Sequence, residues 1–444
     1  SSAPLQDKAE EQEILGLITC LKARIALKIG ELRKADEFAN QTLDYIIEGS
    51  PIHSHVAVIM GLAAYWDGDL ETADQALREA VSISQGCDHR FMTVEATIWL
   101  GYIQTLQGHL HKAVRLYRDA LQFADLGEKR KLPIAGSAYI GIALVQREWN
   151  NLEVAESLLM DGFDMCNLFG NPQAWHIAMA HVKNAQGNQD DAFDEIQIAE
   201  QMGAGADVAF AHLNIDIGRV SLMLSPVGGN LTEAVRWAED SGLDADDMPS
   251  FSQRVGYTML ARVLIAQGEI DQACGLLVRL RDDAEFSGRK RELIEILALQ
   301  ALSLQTQGDT DQAITTLEKA LTLAESGGFI RIFVDEGPPM ARLLYQAATR
   351  GFAPDYTSRL LSAFPMAEPE QTDLSKTQAQ KSELVEPLSE RELEVLQHIA
   401  EGLTNKEIAT RLYLSMNTIK VHTRNINGKL GVKNRMQATA RARA

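Results

Sequence analysis

Over the first 328 residues one order of small and polar positions recurs. A glycine, or once an asparagine, opens a short polar stretch that ends five positions later on an alanine. The stretch reads GELRKA from Gly30, GDLETA from Gly68, GHLHKA from Gly108 and NNLEVA from Asn150. It continues as GNQDDA from Gly187, GNLTEA from Gly229, GEIDQA from Gly268 and GDTDQA from Gly308, at spacings of 38, 40, 42, 37, 42, 39 and 40 residues. Seven residues before each turn stands a second small residue (Ala23, Gly61, Gly101, Ala143, Ala180, Ala261 or Ala301), with Leu222 the one exception. This order predicts helical hairpins. The first helix of each ends on a left-handed glycine cap, and the second starts on the acidic or amide side chain that follows. The small residues on facing helices let two backbones approach closely. One hairpin cannot bury its own apolar face, so eight of them must stack into a superhelix. The tryptophans Trp66, Trp99, Trp149, Trp175 and Trp237 fall at varied phases and are expected in the core.

The pattern breaks at residue 329. Residues 329–364 predict a helical capping segment, with one helix starting at Pro338-Pro339 and a second at about Asp355. Residues 365–387 are polar, bounded by proline and poor in large apolar side chains, which predicts a flexible linker. A linker of that length has a reach of roughly 26 Å.

From Leu388 the helical period returns on a smaller scale. Ser389 with Glu392, and Thr404 with Glu407, read as capping boxes, and Ser415 caps a third helix that runs to Leu430. A helix of moderate length, a short turn and a longer polar helix make the helix-turn-helix plan, in which the last helix enters the major groove. Its exposed face carries Asn417, Thr418, Lys420, Val421 and Arg424, the expected readers of base edges. Thr404, Asn405, Lys406, Ser415, His422, Lys429 and Arg435 are expected to meet phosphates, which set register without reading sequence.

Charge sharpens this division. Residues 388–444 carry +5, whereas the whole chain of 444 residues carries −19, so residues 1–387 carry −24. A basic tail on an acidic body points to one module for nucleic acid and one part that repels it. No apolar run is long enough for a membrane span, and the polar N-terminus does not read as a signal peptide. A cytoplasmic protein is expected. Cys20, Cys87, Cys166 and Cys274 are far apart and form no Cys-x-x-Cys pair, so buried reduced thiols are expected and neither a metal site nor a redox motif. His53 and His55, like His109 and His111, are two residues apart and point to different faces of a helix. No catalytic set stands out, and an enzyme is not expected.

The repeat resembles the tetratricopeptide repeat, with a period near 40 instead of 34. LSERELEVL, GLTNKEIA and LSMNTIKVHTRNINGKLGVKNR resemble the LuxR-type (NarL-like) domain across 388–444. That likeness implies that Lys420, Val421 and Arg424 face the bases, and that the fourth helix, with Met436 and Ala440, carries a dimer contact on DNA. Met416-Asn417 departs from the small or acidic residues usual there. Repeats, then RIFVDEGPPMARLL, then such a tail, resemble the C-terminal half of the MalT-like large ATP-binding regulators. The fold implied is all-α: a tetratricopeptide-like superhelix over 1–328, the capping segment, the linker, and a four-helix LuxR-type domain over 388–444. In that family a nucleotide-binding module precedes the repeats. No G-x-x-x-x-G-K-[ST] occurs in this sequence, so no cofactor is expected in it, and the chain reads either as a fragment lacking that module or as a shorter relative, the fragment being favoured.

The resemblance implies a sensor arm for a small-molecule inducer or a regulatory protein, with double-stranded DNA and RNA polymerase as further partners. If first helices build the concave wall, the inward phase brings Tyr65, Tyr102, Arg147, His181, Asn184, Arg219 and Arg262 to it as ligand-binding candidates. An interaction scaffold tethered to DNA by the tail is the alternative. It would show an open groove where a sensor shows a closed pocket.

Overall fold

The computed structural model describes residues 3–364, apart from 48–49, 128–129, 170–171, 204–208, 226–228 and 248, and then residues 390–400, 403, 408, 411 and 423. Contacts divide the chain into two units, Ser1–Met366 and Ala367–Ala444.

The first unit contains eight helical hairpins. They are α1 (Ala3–Lys28) with α2 (Leu32–Leu43), α3 (Ile52–Asp67) with α4 (Leu70–Gly86), α5 (Arg90–Leu106) with α6 (Leu110–Phe123), and α7 (Ala135–Glu148) with α8 (Leu152–Phe169). Then come α9 (Pro172–Ala185) with α10 (Gln189–Gly203), α11 (Ala209–Met223) with α12 (Leu231–Asp240), α13 (Arg254–Gln267) with α14 (Ile270–Phe286), and α15 (Lys290–Thr306) with α16 (Thr310–Glu325). The two helices of each hairpin pack on one another, and the first helices also touch in succession from α1 to α15. They therefore form a continuous layer, and α5 reaches α15 across it.

The repeated alanines explain the close packing. Ala35, Ala73, Ala113, Ala155, Ala192, Ala234, Ala273 and Ala313 are all fully buried. The turns behave as the glycine order predicts in seven cases. Gly30, Gly68, Gly108, Gly187, Gly268 and Gly308 have φ between 79° and 93°, and Asn150 has φ 61°, the left-handed region that asparagine tolerates among non-glycine residues. The sixth turn is different. Gly229 is not left-handed, and Asn230 caps α12 by accepting from the Glu233 N–H at 3.3 Å. Asp69 and Asp309 cap α4 and α16 in the same way.

Beyond the eighth hairpin lie α17 (Arg331–Val334), α18 (Gly337–Thr349), with its prolines in the first turn, and α19 (Pro354–Ala363). The short α17 was not foreseen. Nor was the antiparallel pair β1 (Asp125–Gly127) and β2 (Arg130–Lys131), which fills one of the two longest spacings between turns. The capping segment is no separate lobe, because Phe329, Phe333, Met340 and Leu360 belong to the same hydrophobic cluster as α13 to α16.

Two expectations about the core need correction. Cys20 and Cys166 are buried, but Cys87 and Cys274 are only half-buried, since Cys87 sits at the end of α4 and Cys274 near the start of α14. Trp175 is buried, whereas Trp66, Trp99, Trp149 and Trp237 lie half-exposed against the edges of the clusters. Among the described residues, no helix is long and apolar enough to cross a membrane.

In the second unit, α20 (Glu390–Ala400) forms where the first capping box predicts it. Val395, Leu396, Ile399 and Ile408 are buried, and the Leu403 N–H donates to the His398 carbonyl just past the helix end. The predicted linker, 365–387, lies outside the described residues.

Candidate functional site

The first helices set two kinds of side chain along the inner layer. One is aromatic. Tyr65, on the last turn of α3, is 2 % exposed and packs against Trp66, Trp99, Tyr102 and Phe251, with ring centroids 4.8 to 5.7 Å apart. Phe251, just ahead of α13, carries the Arg254 guanidinium 3.7 Å from its centroid. Burial and the neighbouring Tyr102 push the Tyr65 phenol well above its ordinary range.

The other is charged. Arg262 of α13 donates to Glu295 of α15 at 2.8 Å and to Glu336, between α17 and α18, at 2.6 and 3.2 Å. Arg291 reaches the second oxygen of Glu295 at 3.4 Å. Arg147, on the last turn of α7, donates to Asp335 at 2.6 Å and to the His181 carbonyl at 3.0 Å. Arg331 also pairs with Asp335. Near the aromatic cluster, Arg254 and Arg289 share Glu292 at 2.7 and 2.8 Å.

These groups carry perturbed titrations. Burial works against the charge of Asp335, but Arg147 and Arg331 outweigh it and hold the carboxyl below the ordinary range. Glu295 is lowered in the same way, as Arg262 and Arg291 prevail over burial. Glu336 moves up, because burial dominates and it shares Arg262 with Glu295 beside a third carboxylate, Asp335. Glu148 also moves up through burial, with Arg291 opposing. His181 falls to about 4, chiefly through burial and then through Arg147. Arg262 is held charged: burial lowers it, and its two carboxylates more than restore it.

Of the seven ligand-binding candidates, Tyr65, Tyr102, Arg147, His181 and Arg262 thus fall within these two connected groups. Tyr65 presents no open ring face, since four rings enclose it, and the guanidinium groups of Arg147 and Arg262 are already held by acids. Asn184 is half-buried, one turn beyond His181. Arg219 is exposed and pairs with Glu200 at 3.3 Å. A groove of about 290 Å³ lies elsewhere, between Arg90, Thr93, Gln122 and Asp125. Every predicted base-reading residue (Asn417, Thr418, Lys420, Val421, Arg424) and every predicted phosphate contact (Thr404, Asn405, Lys406, Ser415, His422, Lys429, Arg435) lies outside the described residues.

Comparison with known proteins fits this layout. The family described as MalT-like TPR region matches residues 16–350. The chain belongs to that family. The bacterial regulatory proteins of the luxR family match residues 386–442. The HTH-type transcriptional regulator MalT of Vibrio cholerae is 25 % identical over 96 % of this chain and 49 % of its own length. The proteins of that description from Serratia proteamaculans and Yersinia pestis are each 27 % identical over 95 % of the chain and 48 % of their own lengths. The chain spans about half the length of the curated relatives it matches.

Within this MalT-like array, the acids that face Arg147 and Arg262 were missed in the sequence. Helix α15 offered a signal, since Arg291, Glu292 and Glu295 interrupt the apolar run that continues to Leu302. RIFVDEG offered another, placing Arg331, Asp335 and Glu336 around the buried Ile332, Phe333 and Val334. Charges embedded in apolar runs must find partners when buried, but which partners they find is settled only by long-range packing.

Proposed function

We propose that this chain is the sensing and DNA-binding part of a transcriptional regulator. The observation that carries the reading is the match of residues 386–442 to the luxR-family regulators, attached to a MalT-like repeat array. Lys420, Val421 and Arg424, with Asn417 and Thr418, read base edges in the major groove, where Lys and Arg recognise guanine and valine meets the thymine methyl. The phosphate contacts expected in the sequence fix the register. The net +5 of residues 388–444 against −24 on the rest favours a tail that seeks the duplex while the body stays clear of it. Dimerisation on a two-fold site follows from weak half-site binding and uses the last helix, around Met436 and Ala440. The repeat array receives a small-molecule inducer or a regulatory protein, and the complex acts on RNA polymerase.

Fluorescence anisotropy with a pool of duplex DNA tests the reading. The intact chain and Lys420→Ala/Arg424→Ala are titrated at two salt concentrations. Binding that weakens steeply with salt and is lost in the double variant is expected. Binding indifferent to the double substitution would remove the recognition helix from its assigned role.

A further inference from the structure

The first helix of the array is apolar on two opposite sides. On one side Thr19, Cys20, Ala23, Ala26 and Leu27 are buried, where α1 packs on α2 and α3. On the other, Ile14, Ile18, Leu21 and Ile25 are between 43 % and 60 % exposed, flanked by the exposed Leu17 and Ile29. A terminal repeat needs a polar outer face to stay in solution. The far end of the array is covered, since α18 lies on α15 and α16 with Met340, Leu343 and Leu344 buried. The outer side of α1 is instead a contiguous apolar stripe, the kind of surface that marks an interaction site.

We propose that this stripe is an interface between two copies of the chain, formed by α1 against the α1 of a second copy that runs antiparallel about a two-fold axis. The spacing carries the register. Glu11, Ile14, Ile18, Leu21, Ile25 and Lys28 follow one another at steps of three, four, three, four and three residues, the alternation that lays a single seam along a helix. The steps read the same in both directions. Set antiparallel about a point between Thr19 and Cys20, the seam places Ile18 against Leu21, Ile14 against Ile25 and Glu11 against Lys28, each pair occurring twice, as an isologous contact requires. Glu11 and Lys28 are both exposed, so each end of the seam closes on opposite charges. A parallel pair would set Glu11 on Glu11 and Lys28 on Lys28, where like charges repel. The charge order therefore selects both the second copy and its direction. This contact is distinct from the one assigned above to the last helix, and it needs neither DNA nor the regulator reading.

Sedimentation velocity of the full 444-residue chain, without DNA, tests the proposal. The parent should form a dimer whose fraction rises with concentration across the micromolar range. Leu21→Glu sets two carboxylates beside the axis and should leave a monomer, with the helical circular dichroism unchanged because the side chain is exposed. Glu11→Lys should raise the dissociation constant roughly tenfold, and Glu11→Lys/Lys28→Glu should restore it. These two variants alter only exposed positions, so they decide the question even if Leu21→Glu fails to fold. A parent that stays monomeric overturns the proposal. So does a dimer indifferent to Leu21→Glu, which would belong to another surface such as the last helix. A dimer that Glu11→Lys does not weaken, or that the double exchange does not restore, overturns the antiparallel seam. Each of these outcomes leaves the anisotropy test of DNA binding untouched.

Discussion

Replacing Arg262 by methionine probes the charged layer most directly. Its guanidinium holds Glu295 at 2.8 Å and Glu336 at 2.6 Å, and the three side chains are 17 %, 13 % and 12 % exposed. Methionine keeps the stem and removes the charge. Glu295 retains Arg291 at 3.4 Å, but Glu336 loses the cation that faces it. Breaking a buried pair from one side costs roughly 3–5 kcal/mol, and the residual exposure here reduces that to about 2–4 kcal/mol at neutral pH. The sign with pH is specific. Glu336 is already raised by burial, and loss of Arg262 raises it further. Its ionised form then penalises the fold above the unfolded carboxylate value of 4.5, and the penalty disappears as pH falls and the group takes up a proton. Urea unfolding followed by circular dichroism at pH 7 and pH 5 should show the deficit shrinking at the lower pH. Adding Glu336→Gln to Arg262→Met should restore most of the loss at pH 7. A single variant as stable as the parent, or a deficit equal at both pH values and untouched by Glu336→Gln, would refute the assignment of Arg262 as the shared counter-ion.

Other outcomes follow from single contacts. Gly141→Ala should destabilise the array by about 1–3 kcal/mol or more, because its Cβ would stand 2.4 Å from the buried Tyr117 ring; a denaturation midpoint checks this. Gly308→Ala meets open space but keeps φ 88°, so it should cost only the backbone strain, about 1–2 kcal/mol, and a loss as large as that of Gly141→Ala would contradict the packing described. Tyr356→Phe should lose about 1 kcal/mol with the bond to the Phe329 carbonyl, measured in the same way. His181 is depressed to about 4, so its neutral form stabilises the fold above 6.5 and that contribution is lost as pH falls toward 4; His181→Gln should flatten the acid limb of a melting-temperature profile between those values.

Local chemistry made much of the architecture legible. A left-handed glycine and an alanine five residues later are demands of one turn and one helix crossing, so eight hairpins could be counted from the sequence, and all eight alanines are buried. The Pro338-Pro339 start likewise acts within a single turn of helix. The sixth turn shows the limit, because Asn230 caps α12 without a left-handed Gly229. The inner-layer residues were legible in part. Helical phase put Tyr65, Tyr102, Arg147, His181 and Arg262 on the right helices, yet could not say that four rings enclose Tyr65 or that Asp335 and Glu336 occupy the arginines.

The sequence by itself therefore determined the hairpin helices of the array, their pairing and the charge contrast between an acidic body and a basic tail, since the hairpin signals lie within about 40 positions of one another. The tertiary structure alone decided the closure. Glu148 meets Ile330 and Ile332 only because the stacking of the fifth to eighth hairpins brings the segment after the eighth back to the fourth. A rotation summed over so many packing angles is written in no single repeat.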